Sequence, residues 1–307
     1  MKEPLVSIVV INFNGGEIIE NCLHTLIRNT AYKNYKLTVV DNGSTDDSVE
    51  KIKKFNVPFI VLKRNLGFPK GMNTGVFHAI KEKPDYIVYF SNDVIIPENQ
   101  KQWLGKLVAD LEADRTAAVA GMKCFRPDGS IEETGTYFVP RWQGSVKKSV
   151  EDENKKQYVD MTSGACIVIR RTVADRIGLY DEKQSPFWYE DTDLFVRIKK
   201  AGYKVIYDPA VAIKHIGSYT INKLKNSRST KIIEYKNFIR FAYKHYPFYL
   251  FVLALANILL SQIARDPISL PKLLASIDLR AEKTRVTQEE FNQRVKEFIS
   301  NRQKPSS

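Results

Sequence analysis

The sequence predicts a doubly wound α/β fold: a mostly parallel central sheet flanked by helices, with a helical C-terminal extension. Two observations carry that expectation. Short β-branched runs alternate with helical patterns as far as Gly121, and polar residues follow each run where the carboxyl ends of parallel strands would lie. Apolar strands separated by helices are buried on both faces, and right-handed crossovers place ligands along one edge of such a sheet.

The elements follow in chain order. VSIVVI predicts a strand around 7–11 and the next pattern a helix over 17–28; KLTVV (36–40) precedes a helix over 46–54 and PFIVL (58–62) a helix over 70–80. YIVYF (86–90) precedes a helix over 98–112, and AAVAG (117–121) is the fifth strand. Pro127, Gly129, Gly135, Pro140 and Gly144 then break 123–160 into short strand-like pieces, with EDENKK (151–156) as an exposed loop. ACIVIR (165–170) predicts a strand and RTVADRIG (171–178) a short helix closed by Gly178. A helix over 191–201 turns Leu194, Phe195 and Ile198 inward and ends at Gly202, and KVIYDPAVAIKHI predicts two short strands broken at Pro209. From 221 onward the pattern is helical and basic, closing with an amphipathic helix in which Thr287 and Glu290 form a capping box ahead of Phe291, Val295, Phe298 and Ile299. The expected organisation is a catalytic α/β domain over 1–220, a basic helical region over 221–300 and a disordered tail over 301–307.

With 307 residues, 43% hydrophobic and 27% charged, the composition is globular and sufficient for a real core. The net charge of +12 is unevenly spread: residues 1–220 carry 31 Lys and Arg against 28 Asp and Glu, whereas 221–307 carry 16 against 7. Such a local excess suits an anionic partner, be it nucleic acid, acidic lipid or a phosphorylated substrate, or else a solvated basic face. Cys22, Cys124 and Cys166 are far apart and lack C-x-x-C spacing, so neither a disulfide framework nor a zinc site is expected and a reducing compartment fits. The short apolar run at the N-terminus has no small-residue cleavage site after it, so no secretory signal is expected.

The residues with chemistry cluster after the predicted strands: Asn12 and Asn14 after the first, Asp41 and Asn42 after the second, Arg64 and Asn65 after the third, Ser91 to Asp93 after the fourth. Asp41 suits a nucleobase or ribose contact, although spacing alone favours an Asx turn and helix capping within DNGSTDDS. RNLGFPKGMNTG (64–75) matches neither common phosphate fingerprint, yet a glycine-rich approach to a helix N-terminus can bind phosphate or serve as a plain loop. Asp93 suits a divalent cation carried by a diphosphate, or a turn. Glu190, Asp191 and Asp193 open a helix, where acids complement the macrodipole; the preceding Phe187, Trp188 and Tyr189 would desolvate a carboxylate and raise its basicity. His215 is either structural or a partner of Asp93 at a metal.

Taken in order, VSIVVINFNG, VVDNGSTDDS, RNLGFPKGMNTG, YFSNDVIIP, TSGACIVIRR, FWYEDTDLFVRIKKAGYKV and HIGS resemble the inverting family 2 glycosyltransferases of the GT-A fold, particularly the rhamnosyltransferase-like branch. The resemblance spans about 5–220, with a weaker echo in EYKNFIRFAYKHYP (234–247). It implies that Asp41 binds the base and that Asn12, Asn14, Asn65, Gly71, Asn73 and Asn92 enclose the nucleotide. It implies Asp93 as the last acid of a D-x-D metal motif, His215 as a helper at the metal, Asp191 as general base with Glu190 beside it, and Trp188 and Gly164 as acceptor or pocket wall. Ser91 stands where a full D-x-D motif has its first acid. The implied cofactor is Mg²⁺ or Mn²⁺. The implied reaction is a single in-line displacement from a nucleoside-diphosphate sugar, without a covalent intermediate.

YPFYLFVLALANILLSQIA (246–264) is interrupted by Asn257, Ser261 and Gln262, so a membrane span is not expected. It is either a helix packed on the catalytic region, an interfacial helix whose basic neighbours meet lipid headgroups, or a homodimer surface. The expected partners are a nucleotide-sugar donor and a saccharide or lipid-linked saccharide acceptor, in the cytoplasm or on its membrane face. A nucleotide-sugar-binding protein without transfer activity is the competing reading. Nucleic acid is not expected, because no recognisable module accompanies the charge.

Overall fold

In the computed structural model, residues 3–141, 144–217, 228–265 and 270–277 are described. β1 (Val6–Asn12) leads through α1 (Ile19–Arg28) to β2 (Tyr35–Asp41), and α2 (Ser48–Lys53) leads to β3 (Phe59–Val61). The chain then crosses back through α3 (Phe68–Ala79) to β4 (Tyr86–Ser91), which pairs with the other side of β1. β1 therefore pairs in parallel with both β2 and β4, and the reversal of direction across the sheet opens a crevice between the ends of β1 and β4.

Beyond β4 come the two-residue β5 (Val94–Ile95), α4 (Trp103–Ala113) and β6 (Ala117–Phe125). The predicted helix over 98–112 begins at Trp103, after a 3-10 turn at Glu98–Gln100. Four short strands follow: β7 (Ile131–Glu133), β8 (Thr136–Arg141), β9 (Gly144–Ser149) and β10 (Gln157–Val159). β11 (Cys166–Arg170) does not join the end of the sheet. It inserts antiparallel between β4 and β6, and with the antiparallel pairings of β5, β7 and β10 it makes the sheet mixed.

α5 (Arg171–Ile177), α6 (Glu190–Lys200) and β12 (Lys204–His215) complete the sheet, whose order is β10-β12-β6-β11-β4-β1-β2-β3. The two strands expected on either side of Pro209 are one strand. β12 runs parallel to β6 with a shift of register between Asp208 and Ala212, and that irregularity accommodates a proline that has no N–H for the ladder.

The alternation of β1 divides the core. Val6, Ile8 and Val10 pack with Ile19, Leu23, Trp103 and Leu107 on one face, whereas Val9 and Ile11 pack with Met72, Val76, Leu194 and Phe195 on the other. Both faces are covered, as the apolar strand runs require.

Three helices follow: α7 (Arg228–His245), α8 (Phe248–Arg265) and α9 (Leu270–Ser276). Phe238, Phe241, Ala242, Phe251 and Ala254 of α7 and α8 share an apolar cluster with Val196 of α6, and Phe138 and Tyr189 pack against it. No described helix is long and apolar enough to cross a membrane. The expected final helix with its Thr287–Glu290 box, and the expected tail over 301–307, lie outside the described residues.

Candidate functional site

The carboxyl ends of β1, β2 and β4 meet through side chains. Asn12 Nδ2 donates to Asp41 Oδ1 at 2.9 Å, and Asn92 Nδ2 donates to Asn12 Oδ1 at 2.6 Å, so three strand ends are tied across the crevice. Asp41 is fully buried, and it also accepts from the Ser44 amide at 2.9 Å and the Ser44 hydroxyl at 2.6 Å. The Asx turn foreseen for DNGSTDDS is at Asp46, whose Oδ1 accepts from the Ser48 amide at 3.1 Å, whereas the Asp41 carboxylate is held by Ser44, three residues on, and no side chain caps α2. Asn14, at φ 48°, accepts from the Thr45 amide through Oδ1 at 2.8 Å, fastening the first loop to the second.

The third loop is bound to the second by carboxamides. Asn42 Nδ2 donates to Asn65 Oδ1 at 3.1 Å, and Asn65 Oδ1 accepts from the Gly67 amide at 2.8 Å. Gly71 lies in the first turn of α3, where a Cβ would come within 2.9 Å of the Asn42 carboxamide; its lack of a side chain lets the helix start approach the loop. Asn73 does not join this cluster. It is buried, donating to the Tyr180 carbonyl at 2.9 Å and Glu182 Oε1 at 3.3 Å and accepting from the Tyr180 amide at 3.2 Å. Its carboxamide is committed to the segment before α6, so the implied nucleotide role does not fit its surroundings.

Asp93 and His215, far apart in sequence, are neighbours. β5 pairs antiparallel with the end of β12, setting His215 opposite Val94, and His215 Nε2 lies 3.2 Å from Asp93 Oδ2. On the other side of the ring, Nδ1 lies 2.8 Å from Glu132 Oε2, which also accepts from the Cys124 thiol at 3.4 Å. Burial opposes protonation of His215, but hydrogen bonds to Asp93 and Glu132, with their charges, push its pKa up to about 10. Glu132 shifts in the opposite sense: burial would raise it, and His215 outweighs burial and lowers it. The carboxylate and imidazole aimed at each other are a donor set that suits a divalent cation of the Mg²⁺ or Mn²⁺ kind. Glu132 was not foreseen, because nothing in EETGTY marks it as a ligand.

Asp191 reaches the same edge by another route. Its carboxylate accepts from the Thr192 amide at 2.6 Å, and it lies so close to Gly164 that a Cβ there would sit 2.5 Å from Asp191 Oδ2. The neighbouring Ala165 accepts from the Ser91 amide at 2.9 Å, which joins the Gly164 segment to the loop carrying Asn92 and Asp93. Glu190 begins α6 beside it. Trp188 and Tyr189 just ahead have φ of 74° and 69°, left-handed values costly for bulky residues and held only where surroundings over-determine them.

Those surroundings come largely from α7. The fully buried Asn237 donates through Nδ2 to the carbonyls of Gln184 (2.8 Å), Phe187 (2.7 Å) and Trp188 (3.3 Å), and Lys236 donates to the Ser185 carbonyl at 2.8 Å. The Tyr189 ring packs on α7, 5.5 Å from that of Phe238 and 5.4 Å from that of Phe241, so it belongs to the apolar cluster there and not to the foreseen wall around Asp191. One helical turn on, the fully buried Asp193 accepts from Arg197 at 2.7 Å, Lys244 at 2.6 Å and His245 at 2.8 Å. Sequence reasoning missed Asn237, Lys244 and His245, although the echo in EYKNFIRFAYKHYP contains all three.

Residues 7–178 match the model for "Glycosyl transferase family 2". Among curated relatives, the N-acetylglucosaminyl-diphospho-decaprenol L-rhamnosyltransferase of Mycobacterium tuberculosis is 25% identical over 236 residues, covering 69% of this chain and 76% of that protein. Uncharacterized protein y4gI of Sinorhizobium fredii is 27% identical over 229 residues, but the match spans 69% of this chain and only 24% of that protein. Among solved structures, GalNAc-T7 with UDP, GalNAc and Mn²⁺ aligns with a TM-score of 0.59 at 18% identity, covering 78% of this chain and 48% of that one. The mannosyltransferase PcManGT of Pyrobaculum calidifontis, in complex with GDP-Man and Mn²⁺, aligns at 0.56 and 17% identity, covering 90% and 74%. The sheet with its crevice at the β1–β4 reversal is thus the GT-A glycosyltransferase fold, and with a family match over more than half its length this chain belongs to glycosyl transferase family 2.

Proposed function

We propose that the protein is an inverting glycosyltransferase that moves a sugar, rhamnose or another hexose, from a nucleoside-diphosphate donor to an acceptor hydroxyl in surface-polysaccharide or lipid-linked glycan synthesis. One observation carries the reading: Asp191 lies against Gly164, whose neighbour Ala165 is bonded to Ser91, so the Asp191 carboxylate and the Asp93 loop share one edge. Asp41, Asn12, Asn14, Asn65 and Asn92 border the nucleotide. Asp93 and His215 hold the divalent cation, which when bound offsets charge on the departing diphosphate.

Asp191 removes the acceptor proton as the hydroxyl attacks the anomeric carbon, and the diphosphate leaves from the opposite face. The Thr192 amide fixes the carboxylate through one oxygen, which leaves the other, beside Gly164, to face the acceptor. Gly164 is the wall of this position. Gly164→Ala should therefore lower kcat at least about 10-fold, because misplacing a catalytic group by an ångström is costly. Its melting temperature should stay close to wild type; steady-state turnover beside thermal unfolding checks both.

A lipid-linked acceptor is supported by the outer side of α8, where Phe248 (77% exposed), Tyr249 (64%), Leu253 (50%) and Leu260 (68%) face solvent. Such a stripe suits contact with a bilayer surface. The mycobacterial relative, by its name, acts on a diphospho-decaprenol acceptor.

The experiment is a panel of UDP-, TDP- and GDP-sugars tested by thermal shift with and without Mn²⁺, followed by product stereochemistry for whichever donor binds. A ligand specific to the native state raises apparent stability, by about 2.7 kcal/mol at a hundredfold excess over Kd. One donor should stabilise the protein more with Mn²⁺ than without. A panel that moves the melting temperature nowhere, or a product of retained configuration, rejects the proposal.

A further inference from the structure

We infer that Glu132 is a positioning residue for the cation site: it fixes the imidazole of His215 so that Nε2 is presented toward Asp93. The inference rests on the cation reading of Asp93 and His215 given above. Three observations support it.

The first is the geometry of the ring. Nδ1 and Nε2 point to different sides of an imidazole, and here they are divided between two carboxylates, Glu132 Oε2 at 2.8 Å and Asp93 Oδ2 at 3.2 Å. Glu132 cannot share an ion held by Asp93 and Nε2 without giving up its place at Nδ1. Its action is through the histidine: with Nδ1–H donating to Glu132, Nε2 is the nitrogen turned toward Asp93, and its lone pair becomes available to a cation there once its own proton leaves. Histidine ligands generally have such an outer carboxylate, which sets the tautomer and ring orientation.

The second is the backbone that delivers it. In the pairing of β6 with β7, Cys124 faces Glu133 and Phe125 faces Ile131, with an irregularity between Cys124 and Phe125 that leaves Glu132 without a residue opposite. A bulge re-aims a side chain out of the regular alternation. Here it sends Glu132 to His215 and Cys124 instead of outward.

The third is the fit around the carboxylate. The Cys124 thiol donates to Oε2 at 3.4 Å, and Oε1 lies where a Cβ on Gly217 would approach to 3.3 Å. Gly217 has φ of 83°, so its backbone conformation suits glycine for a second reason.

The test measures Mn²⁺ binding to the full chain by electron paramagnetic resonance, without donor or turnover, in wild type, Asp93→Ala, His215→Ala, Glu132→Gln, Glu132→Ala and the double variant His215→Ala/Glu132→Ala. Glu132→Ala should weaken Mn²⁺ about 10–100-fold. Glu132→Gln, which keeps an acceptor for Nδ1–H without the charge, should fall between it and wild type, and preserves the fold if alanine does not. In the His215→Ala background, removing Glu132 should change affinity no further, which separates action through the histidine from a general loss of structure. Wild-type affinity in both Glu132 variants, with Asp93→Ala still abolishing binding, overturns the inference and leaves the cation reading standing. Additive losses in the double variant also overturn it. Absence of Mn²⁺ binding to wild type, or full binding by Asp93→Ala, overturns the cation reading itself and this inference with it.

Discussion

Asp191→Asn is expected to lower kcat about 10²–10⁴-fold while leaving donor affinity within a fewfold of wild type. The amide keeps the size and shape of the carboxylate, so its oxygen can still accept from the Thr192 amide and α6 can keep its start. What is lost is the ability to take a proton. The residues proposed to meet the nucleotide, Asn12, Asp41 and Asn92, are bonded among themselves and do not depend on Asp191. Calorimetry with the donor and a turnover assay together check the split; turnover within tenfold of wild type removes Asp191 from the role of base.

Asp193→Ala is expected to cost about 3–5 kcal/mol of stability, a large share of the roughly 5–15 kcal/mol that holds a domain folded. Asp193 is fully buried, and Arg197, Lys244 and His245 converge on it. Removing it leaves the Arg197 and Lys244 charges facing one another beside the His245 ring in a poorly solvated place. Burial alone would raise the Asp193 carboxyl, but the Arg197 charge, the His245 hydrogen bond and Lys244 outweigh burial and hold it far below the usual carboxylate range. A depressed folded-state value has a definite sign: the contribution is complete above the unfolded value of about 4 and is lost as pH falls through the folded value. Urea unfolding between pH 7 and pH 3 should show wild type losing its advantage over Asp193→Asn as the pH drops below about 4. A variant as stable as wild type at neutral pH contradicts the expectation. Because Lys244 also bonds Asp181 at 2.8 Å, the loss should extend to the segment before the base and reduce turnover as well.

This network changes the meaning of the charge. The C-terminal excess suggested an external anionic partner, yet Lys236, Arg240 and Lys244 are turned inward, Arg240 is 6% exposed, and Lys244 neutralises carboxylates of the catalytic region. Part of the basic character fastens α7 to α6, which carries the proposed base, and to the segment before it. Among the described residues, α8 of this region also presents an outward apolar stripe.

The sequence by itself determined the alternation of strands and helices from β1 to β6, apart from the two-residue β5 and the start of α4, because burial imposes its periodicity within each segment and glycine and proline mark the breaks between them. It also placed Asn12, Asp41, Asn92 and Asp93 at one edge, since residues after parallel strands must gather there. Only the tertiary structure decided the rest. β11 turned antiparallel between β4 and β6, and with it came Gly164 against Asp191. The separation of 83 positions between Glu132 and His215 was closed by strand pairing and a bulge. Asn73 went to Tyr180, and Asn237 came to the carbonyls before α6. Each of these depends on which distant backbone a side chain meets, and a hydrogen bond of about 3 Å leaves no mark on the spacing of residues along the chain.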